Sequence, residues 1–172
     1  MSTKAREFEL AVRSFSGDLY RFAFWLVRDR HAAEDLVQEC FQRAWSSWES
    51  LHDQVALKKW LFTILRREFL RRLERKQLDV SDIDDADIPM SDCLEMDQLY
   101  GLRQALGRAP VNLSEPLLLQ VLGGFSVEEL AEQNNTTVGA MMTRLSRARQ
   151  WLRSSLSSEQ PGKSGKTQEN LP

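Results

Sequence analysis

Apolar residues recur along this chain at helical spacing, and no stretch shows the alternation of a strand. The broadest stripe is Ala33, Leu36, Val37, Cys40, Phe41, Ala44, Trp45 and Trp48, where steps of three and one alternate. Such a stripe covers a wide helical face that must bury against other helices. Its polar side carries Glu34, Asp35, Gln38, Glu39, Gln42 and Arg43. A second helix is expected from about Leu57 to Arg75, with Trp60, Leu61, Ile64, Leu65 and Phe69 as its apolar side, and Leu19, Phe22, Ala23 and Leu26 supply a third face. Trp25, Trp45, Trp48 and Trp60 give three such helices enough bulk for a small core, in which Trp25, Trp45 and Phe41 read as packing residues.

A different pattern occupies Ser126–Arg153. Ser126 followed by Glu129 is a capping box, which starts a helix near Val127 with Leu130 and Ala131 facing inward. Asn134-Asn135 then breaks the period, and asparagine tolerates the left-handed backbone of a sharp turn. Thr137 is placed to cap a following helix. In that helix Val138, Met141, Leu145, Ala148 and Leu152 share one face, while Thr143, Ser146, Arg147 and Gln150 lie opposite, flanked by Met142 and Arg144. Two short helices about a tight turn, the second with a basic and hydroxyl-bearing face, make a helix-turn-helix, whose second helix enters the DNA major groove.

The chain is therefore expected to be all-α: two small helical domains joined by a flexible acidic linker. The first is 13–76, preceded by a lead at 1–12 that is compatible with helix. The linker is 77–97, where Pro89 interrupts any helix. The second is 98–155, with Pro110, Pro116 and Gly123-Gly124 as punctuation, and the polar stretch 156–172 reads as a disordered tail.

Charge sharpens this division. The 172 residues carry a net −2, which taken alone argues against a nucleic-acid partner. Eight acids and no bases lie between Gln77 and Asp97, however, so setting those eight aside leaves +6 for the rest. Lys58–Lys76 holds eight bases against two acids. Segregated blocks of this kind mark interaction surfaces.

Other chemistries find little support. No run of about 18 apolar residues offers a membrane span, and MSTKAREFEL lacks a signal-peptide core, so a cytoplasmic protein without membrane insertion is expected. Cys40 and Cys93 cannot frame disulfides, and with only His31 and His52 beside them no metal site is expected. Cys40 lies on the apolar stripe as a small core residue. There is no Gly-rich phosphate loop, so neither catalytic residues nor a cofactor are expected.

Two separated motifs then point to one family. AEDLVQECFQRAW (Ala33–Trp45) resembles the region 2 signature helix of bacterial RNA polymerase sigma factors, and KKWLFTILRREFLRRLERK (Lys58–Lys76) resembles the promoter-binding helix that follows it. LRQALGRAP (Leu102–Pro110) and EELAEQNNTTVGAMMTRLSRAR (Glu128–Arg149) resemble region 4. An acidic linker in place of region 3, with no region 1, is the layout of the extracytoplasmic-function (ECF) group of the sigma-70 family. The resemblance implies a transcription initiation factor that directs core RNA polymerase to promoters. Asp35, Gln38 and Glu39 would dock on the β′ clamp helices, with further contact to the β subunit. The loop Glu49–Ala56 and Lys58, Lys59, Arg66, Arg67, Arg71 and Arg72 would hold the melted −10 element. Met142, Thr143, Arg144, Ser146 and Arg147 would read the −35 duplex. The group is typically held by an anti-sigma factor. The acidic linker would occupy positively charged channels of the polymerase, or lie against the basic −10 helix in the free protein.

The chain departs from the family pattern at Arg67, where Asn is usual, at Arg71, where Asp is common, at Asn134-Asn135, where Leu-Gly is common, and at Met142, where Lys is frequent. A stand-alone helix-turn-helix regulator is the alternative reading, and it would not need the Ala33–Trp45 motif.

Overall fold

The computed structural model of the chain describes residues 3–51, 53–78, 106 and 108–158. The acidic stretch from Asp79 onward, with Cys93 and Pro89, and the end of the tail lie outside the described residues. Among the described residues every regular element is a helix.

Three long helices form the first unit: α1 (Thr3–Val27), α2 (Arg30–Ser46) and α3 (Leu57–Leu78). The N-terminal lead is continuous with α1, since Phe8 and Ala11 already face the core. Short 3-10 turns at Trp48–Ser50 and Gln54–Ala56 carry the chain from α2 to α3. α2 begins because the Asp29 carboxylate accepts from the backbone N–H of Ala32 at 2.7 Å. Leu19, Phe22 and Ala23 of α1, Ala33, Leu36, Cys40 and Ala44 of α2, and Leu61 and Leu65 of α3 are fully buried between the three helices. Burial, and behind it the Glu68 carboxylate, push the Cys40 thiol up to about 12. It is a packing residue without thiolate chemistry at neutral pH.

Two aromatic expectations need correction. Trp45 is 41% exposed rather than a core residue. α2 turns its Ala33–Ala44 line into the bundle, which leaves Trp45 on the rim, edge-on to Phe8 with centroids 5.0 Å apart and beneath the Lys4 ammonium at 4.8 Å. Phe41 and Trp25 are partly buried and pack around the core. The converse case is Phe62, absent from the expected apolar side of α3 yet fully buried, its ring centroid 5.4 Å from that of Phe22.

The second unit contains α4 (Val111–Gly123), α5 (Val127–Gln133) and α6 (Val138–Ser158). Pro116 lies inside α4, fully buried, and so does not punctuate the chain there. Its ring forgoes one ladder hydrogen bond but fills the core. Gly124 ends α4 in the left-handed conformation, φ 73°, and donates its N–H to Leu119 O. α6 continues through Ser158, so the first residues of the expected disordered tail are helical.

The two units share one continuous apolar cluster. At the seam a Cβ added to Gly123 would stand 2.7 Å from the Phe125 ring and 3.3 Å from Phe62. A side chain at position 123 would collide with the Phe125 ring and press on Phe62 of α3. Arg28, in the left-handed region at φ 54°, turns the corner between α1 and α2. Its guanidinium crosses to the second unit and donates to Ala109 O at 3.2 Å and Leu106 O at 3.4 Å. A non-glycine residue held there is locally strained.

Candidate nucleic-acid interface

The helix-turn-helix is built by local chemistry. Ser126 Oγ accepts from the Glu129 N–H while the Glu129 carboxylate accepts from the Ser126 N–H, so both halves of the capping box are present. Asn135 adopts φ 48° in the turn, and Asn134 donates its amide N–H to Leu130 O at 2.7 Å, closing α5. Thr137 Oγ1 accepts from Ala140 N–H and opens α6. Met141, Leu145 and Ala148 bury against α4 and α5, and Leu152 is partly buried. Val138 departs from the expected stripe. It stands in the first turn of α6, past the edge of the packed face, and is 37% exposed.

The opposite face of α6 is open. Met142, Thr143, Ser146, Arg147 and Gln150 are exposed and Arg144 is half-buried. Thr143 Oγ1 donates to Gly139 O within the helix. Neither Arg144 nor Arg147 makes an ion pair among the described residues. Two guanidinium groups and two hydroxyls therefore project from consecutive turns, the donor set that reads guanine edges and phosphates in a major groove.

The cations of α3 are arranged differently. Lys58 pairs with Asp18 of α1 at 2.8 Å, and Lys59 with Glu129 of α5 at 2.8 Å. Arg66 pairs with Glu115 of α4 and also donates to Asn134 Oδ1 at 3.2 Å. Arg71 pairs with the buried Glu68 at 2.9 Å, and Arg72 with Glu39 of α2 at 3.0 Å, with a further bond to Ala32 O. Of the six candidate cations, Arg67 alone is exposed with no hydrogen bond or ion pair among the described residues. The carboxylates found on this helix come from α1, α2, α4, α5 and α3 itself, whereas the acidic linker lies outside the described residues. Lys59 holds the Glu129 carboxyl below the ordinary carboxylate range, assisted by the Ser126 N–H. Asp18, Glu115 and Asn134 are the partners that sequence reasoning missed. Asp18 lies on α1, Glu115 on α4 and Asn134 in the turn after α5, where it reads only as a turn residue, and only the packing brings each to α3.

A third surface lies on α2 and the adjoining part of α1. Asp35 and Gln38 are exposed on α2, and Glu39 is half-buried against Arg72. Beside Gln38 an open, mostly apolar groove of about 740 Å³ runs between α1 and α2, lined by Phe8, Val12, Tyr20, Val37, Phe41 and Trp45. An apolar groove rimmed by carboxylate and amide groups suits a protein partner.

Comparison with known proteins gives these surfaces a family. Residues 11–78 match the model for sigma-70 region 2, and residues 99–152 the model for sigma-70 region 4. The RNA polymerase sigma factor SigV of Bacillus subtilis is 31% identical over 83% of this chain and 86% of its own length. The ECF RNA polymerase sigma factor EcfG of Rhodopseudomonas palustris is 33% identical, covering 78% of this chain and 76% of its own. Among solved structures, the sigma factor RpoE in complex with the anti-sigma factor NepR from Bartonella quintana is similar, with a TM-score of 0.72 and 29% identity, over 90% of this chain and 99% of that one. With both regions matched in order and relatives of this similarity spanning most of their lengths, the chain belongs to the ECF group of the sigma-70 family of RNA polymerase sigma factors, and its function is transcription initiation.

Proposed function

We propose that this chain is a promoter-specificity subunit that acts by binding alone: its helix-turn-helix reads the −35 duplex, α3 and the preceding loop hold the melted −10 strand, and α2 with the adjoining groove docks on the β′ clamp helices of core RNA polymerase. The open basic face of α6, on the same chain as a cation-rich α3, is the observation that carries the reading. A stand-alone operator-binding regulator would need the first surface but not the second. Tethering both DNA contacts to the polymerase makes the second effectively intramolecular, so each can be weak by itself. In this reading the chain has no catalytic residues, and phosphodiester synthesis belongs to the polymerase. It works in the cytoplasm. Consistent with that, no helix among the described residues is long and apolar enough to cross a membrane. An anti-sigma factor that covers α2 and the groove would hold it inactive; the structural relative is itself a sigma factor in complex with an anti-sigma factor.

Run-off transcription tests this. Purified core polymerase of the source organism, given this protein and a fragment spanning the gene's own upstream region, should yield a discrete transcript that is absent without the protein. Asp35→Lys with Gln38→Ala, both at exposed positions, should abolish the transcript while leaving the fold intact by circular dichroism. Binding of the fragment without core enzyme and with no new transcript would replace the sigma reading with the operator-binding one.

A further inference from the structure

The open face of α6 changes character along its length. Ser146, Arg147 and Gln150 make its farther part polar. Its first two turns are apolar: Val138 is 37% exposed, and Met142, four residues on, is 56% exposed. Residues four apart on a helix are neighbours, so these two side chains form one patch. Thr143 borders it with a methyl branch. Gly139 lies within the patch, three residues before Met142, and a Cβ added to it would meet nothing within 4 Å. Its backbone is ordinary helix. Neither crowding nor conformation requires glycine there, and alanine would hold the helix better. The fold therefore accounts neither for the missing side chain nor for the two apolar ones beside it, whereas the early residues of a recognition helix are those that meet base edges.

We infer that Val138, Gly139 and Met142 form a seat for the C5 methyl group of a thymine, so that the chain selects a −35 element with a T·A pair opposite the first two turns of α6. This rests on α6 being the −35 reader, and it names what that surface selects. Thymine is the one unmodified base with an apolar group at its major-groove edge; the others present donors and acceptors there. A methionine offers a base no donor, and its flexible thioether adapts to the shape of a methyl group. Against guanine or cytosine the same patch would strip water from a polar edge and return no hydrogen bond, so the seat rejects as well as selects. Gly139 allows the base to approach the helix backbone more closely than a side chain would. The lysine frequent at position 142 in the family would seek a phosphate or a guanine instead. Arg147, farther along the same face, keeps the polar part of the contact.

The test uses the full chain bound to core polymerase, and the promoter fragment that gives the run-off transcript. Thymines of its −35 element, on either strand, are replaced one at a time by deoxyuridine, which removes the methyl group and keeps the base pair. Each fragment competes with the unmodified one for the holoenzyme. The seat requires a position at which deoxyuridine lowers affinity about fourfold, the equivalent of about 0.8 kcal/mol for one buried methyl group. Met142→Ala should abolish the difference at that position. Leu10→Ala, which removes an exposed apolar side chain from α1, should preserve it. Gly139→Ala should leave thermal stability equal or higher and weaken binding of the unmodified fragment. An element without thymine, or deoxyuridine tolerated at every position, overturns the seat. A methyl effect that survives Met142→Ala overturns its assignment to this patch, and full affinity in Gly139→Ala overturns the close approach at that residue. A holoenzyme that gives no discrete transcript overturns the proposed function and the seat with it. One that initiates normally but ignores the methyl group is a sigma factor that reads −35 through polar contacts alone.

Discussion

Helices α3 and α6 both carry the basic residues of a DNA-binding protein, yet most of those on α3 are paired within the fold while Arg144 and Arg147 on α6 are unpaired among the described residues. α6 buries a single stripe, Met141, Leu145 and Ala148, so its cations fall on the solvent side. α3 buries Leu61 and Leu65 against the first unit and Phe62 against Phe22 and the second-unit seam. A helix embraced from two sides has little free circumference, and its Lys and Arg residues emerge at the rims, where acids of the neighbouring helices meet them. The basic content of a helix thus indicates what it can bind. Whether those cations are available depends on how many sides of the helix are packed.

The most disruptive way to break this contrast is to remove the residue that makes α3 two-sided. Phe62→Ala should lower the stability of both units together, by about 3–5 kcal/mol for a fully buried phenylalanine, seen in urea denaturation as one shifted transition. Two separate transitions, only one of them shifted, would show that the units do not share a core. Next comes the open side. Arg147→Ala should weaken binding of a −35 duplex by about 1–3 kcal/mol in anisotropy titrations and leave thermal stability unchanged, since the guanidinium has no internal partner to lose. Ser126→Ala removes half of the capping box and should cost about 1 kcal/mol, measured by thermal unfolding. Arg67→Ala, by contrast with its paired neighbours, should leave stability unaltered and lower the salt slope of oligo-dT binding by about one ion.

The smallest effect concerns pH. Glu129 titrates below its ordinary value because Lys59 and the Ser126 N–H favour its ionised form. Partial burial opposes the shift, and Glu115 with Arg66 lies along the same seam. A depressed carboxyl adds stability above its unfolded pKa and loses it as pH falls, so the contact between the units should hold at neutral pH and weaken below about 4. Scattering between pH 7 and pH 3.5 should show expansion only at the acid end, and Glu129→Gln should flatten that change.

Much of the local structure could be read from the residues. Ser126, Glu129, Asn135 and Thr137 act within four residues of themselves, so the caps and the turn follow from local backbone chemistry. The Leu19–Leu26 and Ala33–Ala44 stripes follow from helical period alone. Readings failed where a residue's neighbour was remote in sequence. Trp45 fits the stripe but stays on the rim of the bundle, edge-on to Phe8 near the start of α1, and Phe62 falls outside the expected stripe yet meets a second partner. Pro116 has the character of a breaker, but an apolar pocket repays the missing hydrogen bond.

The sequence by itself determined that this is an all-helical chain with two basic helices, a capped helix-turn-helix and the two regions of an ECF sigma factor, because period, capping and motif order are properties of neighbouring residues. The tertiary structure alone decided which cations are free. Asp18, Glu115, Glu129 and Asn134 are separated from their α3 partners by 40 to 70 positions. Only packing creates contacts over such separations, and an ion pair depends on distance in space rather than along the chain.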